Sequence, residues 1–180
     1  MSLVQNGTPV GLGLTLDDLI TYTSWQRGEW RAWFDAHPEA LRMSAGPNGD
    51  GRFTTVGDLV KHVFSAEQRY VQRLRNEPLA DHTNVPSDDA GALFDLGDAS
   101  RRDLLQLAAT FPAGEWDVPR EFRILSYLVT VTPRKIVVHV LMHEIRHWAQ
   151  IATMCRLNGA AVGFQDFLVS PIWGGEFRPA

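Results

Sequence analysis

Four stretches of the chain repeat their apolar residues every three to four positions, the period of a helix with one buried face. The first starts after Thr15, a helix-capping residue with Asp17 and Asp18 in the following turn, and carries Leu16, Leu19, Ile20, Thr23, Trp30, Trp33 and Phe34 to about His37-Pro38. The second begins near Thr54-Thr55 and runs to about Asn76, with Val56, Leu59, Val60, Val63, Phe64, Tyr70, Val71 and Leu74 as its stripe. A third is predicted from about Ser87 or Ala99 to Phe111, burying Leu104, Leu105, Leu107 and Ala108. The fourth opens at Thr132-Pro133, where proline's missing N–H does no harm, and stops at Asn158-Gly159, a left-handed cap. Turn formers fill 44–52, a Pro- and Asp-rich connection spans 77–97, and the β-branched and aromatic run Phe122–Val131 reads as extended. The pattern predicts an all-α fold, a four-helix bundle with long connections. It forms one domain over 1–180, with the bundle at about 15–159 and a C-terminal tail over 160–180.

Composition narrows the functional classes. A chain of 180 residues, 44% hydrophobic, has enough apolar material for one core. Its net charge of −4 and lack of a basic run argue against nucleic-acid binding, which needs clustered cations to neutralise phosphates. A single cysteine excludes an internal disulfide framework, and Cys155 reads as a buried, inert thiol. The start, Met1–Gly7, lacks the basic and apolar regions of a secretory signal, and no run of about 18 apolar residues occurs. A cytoplasmic protein without a membrane partner is expected.

The chemistry concentrates at the fourth helix, where His139, His143 and His147 fall within nine residues. Side chains four apart on a helix lie about 6 Å apart along the axis and about 40° apart around it, so His143 and His147 can share one metal ion. The same spacing also occurs in ordinary hydrogen-bonded packing. On the second helix His62 sits at the edge of the apolar stripe, whereas Glu67 falls near its centre and so needs a buried partner or a polar cavity. His37 reads as a helix-end residue and His82 as a solvated loop residue.

The run Asp58-Leu59-Val60-Lys61-His62-Val63-Phe64-Ser65-Ala66-Glu67, followed downstream by His143-Glu144-Ile145-Arg146-His147-Trp148-Ala149-Gln150, resembles the DinB family of four-helix metal-binding proteins. The resemblance covers about Leu16 to Phe167 and implies His62, His143 and His147 as ligands of a divalent metal ion, zinc or nickel foremost. Where the family usually continues His-Arg-Gly-Gln, this chain has His147-Trp148-Ala149-Gln150 and keeps only the glutamine. Three protein ligands leave coordination positions open, as catalytic sites do. The resemblance therefore implies a metal-dependent thiol S-transferase or hydrolase acting with a small-molecule thiol or another small substrate. Glu67 would support His62 from behind, and His139 would support the ligands or simply pack.

Two other functions compete. His143-Glu144-Ile145-Arg146-His147 matches H-E-x-x-H, the zinc metalloprotease motif in which the glutamate polarises a water. Its longer form fails at Gln150 and Thr153, and the distal carboxylate would have to be Glu176. Alternatively the bundle is a non-enzymatic, stress-related metal-binding protein. Trp25, Trp30 and Trp33 are candidates for a homodimer surface, and the tail around Asp166–Gly175 is expected to fold back and close one side of the pocket.

Overall fold

The computed structural model describes residues 13–124 and 126–174. The expected readings of the N-terminal start, and Glu176 as a distal ligand, lie outside the described residues. Four helices, α1 (Leu16–Ala36), α2 (Val56–Arg75), α3 (Ala90–Thr110) and α4 (Pro133–Leu157), form the bundle. Their starts are chemically marked. Thr15 and Thr55 each accept from the backbone N–H three residues on, and Asp18 and Asp58 return the bond, two complete capping boxes. Thr132 accepts from the Lys135 N–H ahead of Pro133. α2 ends on Asn76 in the left-handed region and α4 gives way to Gly159 at φ +83°.

Of its two expected starts, about Ser87 or Ala99, the third helix takes one near the earlier. It starts at Ala90, capped by Asp89, inside the Asp-, Ala- and Gly-rich segment that reads as a connection. Gly97 is there for closeness rather than flexibility, since a Cβ on it would stand 2.9 Å from the Phe64 ring. Between α3 and α4 the extended segment is an antiparallel hairpin, β1 (Arg120–Ile124) with β2 (Tyr127–Val131), in the register Phe122 opposite Val129 and Ile124 opposite Tyr127. Because strand side chains alternate, Phe122, Ile124 and Val131 share one face. Buried Phe122 joins the core, with Ile124 and Val131 packed against it.

The core has two apolar parts. One gathers Trp30, Phe34, Leu59, Phe64, Phe94 and Trp148; the other gathers Val71, Leu74, Leu104, Leu107, Val140 and Leu141. On each helix the residue between the two parts is charged: Arg27 on α1, Glu67 on α2, Arg101 on α3 and Glu144 on α4, all buried. Trp30, fully buried and stacked on Trp148 at 5.2 Å, belongs to the core and not to a dimer surface. The tail does fold back, but along α1 and the far side of α4. The Tyr22 hydroxyl donates to the Gln165 carbonyl at 2.9 Å, and Trp33 Nε1 donates to that of Ala161 at 3.1 Å. The cleft it covers is lined by Ile145, Ala149 and Ala152, which lie roughly 180° around α4 from His143. The tail therefore does not close the histidine pocket.

Candidate metal centre

α2 and α4 pack together along the bundle, and His62 from one meets His143 and His147 from the other. His62 Nε2 stands 3.2 Å from His143 Nε2, and His143 Nε2 stands 3.0 Å from His147 Nε2. Among the described residues this is the grouping of histidine, cysteine or acidic side chains able to hold a metal ion, with its ligand atoms within 4.8 Å of one another. Imidazole nitrogens bound tetrahedrally to zinc at about 2.0–2.1 Å lie about 3.3 Å from each other. The two close separations match that spacing and the third pair lies within 4.8 Å, so the donor set is compatible with a single ion.

The tautomer is also suited to it. His147 Nδ1 lies 2.8 Å from Gln150 Oε1, an acceptor, so Nδ1 carries the proton and Nε2 keeps its lone pair. Arg146 has only donors to offer, and its Nη2 sits 3.1 Å from that same Nε2. The Gln150 amide in turn donates to the Asn48 carbonyl, which ties the ring orientation to the turn before α2. A ligand histidine whose second nitrogen is held in this way is the usual support for a metal site.

Electrostatics keep the rings neutral. Burial, then the neighbouring His147 and the cations Arg52, Arg69 and Arg146, push His62 down to about 4. Burial and its histidine neighbours push His143 to about 2. His147 is also lowered, chiefly by burial, against the opposing bond to Gln150. At neutral pH all three nitrogens are available as donors. Phe53 covers one side of His62 with ring centroids 4.8 Å apart.

The other candidates are placed differently. Glu67 does not support His62: its carboxylate takes Arg27 Nη2 at 2.7 Å and Arg101 Nη2 at 3.3 Å, because a position five residues on points about 140° away. Glu144 also faces inward. Arg27 Nε at 2.6 Å, Arg101 Nη2 at 2.7 Å and Trp148 Nε1 at 3.1 Å occupy its carboxylate. Although burial pushes the Glu144 carboxyl up, the two arginines hold it below the ordinary value. A carboxylate so engaged is not free to polarise a water, which removes the metalloprotease reading of H-E-x-x-H. His139 lies outside the cluster, edge-on to Tyr70 at 5.4 Å and 5.5 Å from the His143 ring. His82 is buried, not solvated, and its Nε2 has no hydrogen-bond partner among the described residues. His37 does sit at its helix end, with Nδ1 2.9 Å from the Trp33 carbonyl. Cys155 is buried, and burial raises its thiol to about 11.

Sequence reasoning missed the partners of the buried acids. Arg27 and Arg101 carry a readable signal, a charge inside a helical stripe, but which acid each meets depends on how the helices face one another. Compared with known families, residues 22–151 match the model of the DinB superfamily. The chain belongs to the DinB superfamily. The match spans most of α1 and α4 and contains all three clustered histidines of this DinB protein. No curated protein matches the chain. Among the described residues no helix is long and apolar enough to cross a membrane.

Proposed function

We propose that His62, His143 and His147 are the ligands of one divalent metal ion, zinc or nickel foremost, and that the chain is a metal-dependent thiol S-transferase or hydrolase. The observation that carries this reading is the convergence of three neutral imidazole Nε2 atoms from two helices at near-ligand spacing. A divalent ion held by three protein ligands supplies a Lewis acid with positions open to a small substrate. The chain's own contribution is preparatory. Gln150 fixes the His147 tautomer, burial holds the rings unprotonated, and Arg146 and Arg52 place positive charge near them. A thiolate substrate would be drawn by that charge and kept ionised beside it.

Elemental mass spectrometry on the purified protein and on His62→Ala tests the ligand set. About one equivalent in the wild type, lost in His62→Ala, supports it; metal retained by the variant removes His62 from the site. Turnover of a thiol-reactive electrophile only when a low-molecular-weight thiol is added would identify a transferase, and thiol-independent ester or amide cleavage a hydrolase. A loaded protein inactive in both would be a metal-binding bundle.

A further inference from the structure

Beside the histidine cluster, between the hairpin and the first half of α4, lies a cavity of about 260 Å³ walled by Ile124, Val129, Val131 and Ile136. Its remaining lining is Tyr70, His139 and Lys135. The His139 ring bridges the two places, lying 5.5 Å from that of His143. The walls are apolar because strand alternation turns one side of the hairpin toward the helix.

The charged side chain in the cavity lining is a cation, and further cations lie toward the histidines. Lys135 is in the lining, and Arg73 stacks over the Tyr70 ring at 5.5 Å. Arg146 reaches the lone pair of His147 at 3.1 Å. Arg69 is close enough to Arg73 and His62 to lower both. None of these four cations forms an ion pair among the described residues, whereas Arg75, Arg120 and Arg134 nearby in the sequence do. Lys135 in the lining and Arg73 over Tyr70, neither of them ion-paired among the described residues, are a local positive field directed at an anion on a chain whose net charge is −4.

We propose that this cavity holds the apolar body of a small anionic substrate, with Lys135 and Arg73 meeting its acidic group and its other end reaching past His139 to the three histidines. The volume lies slightly under the roughly 300–1,000 Å³ of drug-sized sites, so the substrate is a small acid rather than a large conjugate. This inference rests on the metal-centre reading for where the reaction takes place, but the cavity can be tested without activity.

The probe is 4-phenylbutyrate, with 4-phenylbutylamine as the cationic control. Both are titrated into metal-free and zinc-loaded protein at low salt while the methyl resonances of Ile124, Val129, Val131 and Ile136 are followed by NMR. Phenylbutyrate should shift those methyls and bind at least tenfold more tightly than the amine. Lys135→Glu, an exposed position in the first turn of α4, should weaken it about tenfold, Lys135→Arg should restore it, and Val129→Trp should abolish it by filling the cavity. Equal binding of the amine, or no methyl shifts from the acid, would overturn the proposal. Sedimentation with anionic phospholipid vesicles in the absence of methyl shifts would overturn it in favour of a membrane surface. Zinc retained without phenylbutyrate binding would reject the cavity and leave the metal centre standing; phenylbutyrate binding in a protein that holds no metal would do the reverse.

Discussion

At the scale of single residues, the histidines show how far position along a helix decides ionisation. His62 and His143 are both pushed far below the ordinary histidine value, first by burial. His82, in a connection rich in turn formers, is also buried, and burial followed by Arg69 and Lys61 lowers it. The sign of the consequence is definite. A histidine whose pKa is lower folded than unfolded takes up its proton first in the unfolded chain, so stability is lost as pH falls below about 6.5 toward the folded value. His82→Leu should therefore show a shallower loss of stability than the wild type between pH 7 and pH 5, measured by urea unfolding at each pH. An unchanged slope would mean that His82 is hydrated in solution. Loop composition points to a solvated His82 because it reports solubility on average, whereas the fold of this connection over α2 buries this particular ring.

At the scale of elements, α4 presents three sides with separate duties. His143, His147 and Gln150 face α2 and the turn carrying Asn48, Glu144 and Trp148 face the core, and Ala149 and Ala152 face the tail. Its ends and its histidine row were legible, because caps and three-to-four spacing are local properties. The beginning of α3 was only bracketed, between Ser87 and Ala99. Gly91 and Gly97 look like chain breakers until the packing is known, and Gly97 is required by the Phe64 ring packed against it. The Gly97 carbonyl also accepts from Arg27 Nη1 at 2.8 Å. Gly97→Ala should therefore destabilise by about 1–2 kcal/mol through overpacking, despite alanine's higher helix propensity. Combining it with Phe64→Leu should give less than the sum of the two losses, since the smaller side chain relieves the clash. Additive losses would place the effect elsewhere.

At the scale of the molecule, the four helices are joined at their middle by two arginines and two glutamates, one from each helix. The set is neutral overall and nearly every donor is used: Arg101 also donates to Thr23 Oγ1 at 2.8 Å and to Ser24 Oγ at 3.1 Å. Such a network contributes little compared with an apolar core of the same shape, but breaking it leaves a buried charge unpaired. Glu144→Gln should cost about 3–5 kcal/mol in denaturant unfolding. It should nevertheless leave metal stoichiometry unchanged, because Glu144 faces away from the histidines. Metal loss in the folded variant would instead join Glu144 to the site.

The sequence by itself determined the four helices, the caps at Thr15, Thr55 and Thr132, the pairing of His143 with His147 and the demand that Glu67 find a buried partner. Each follows from residues close together in the chain, through backbone geometry and the cost of burying charge. Likeness to the DinB family added His62, which periodicity alone could not connect to α4. Only the tertiary structure decided that Glu67 and Glu144 turn inward to Arg27 and Arg101, that Gln150 is anchored by Asn48, and that the tail covers the far side of α4. It also decided that an apolar cavity with Lys135 in its lining and Arg73 over Tyr70 opens beside His139, whose ring neighbours His143. These are contacts between segments tens of residues apart, and their partners are selected by how whole helix faces fit together, which local spacing does not specify.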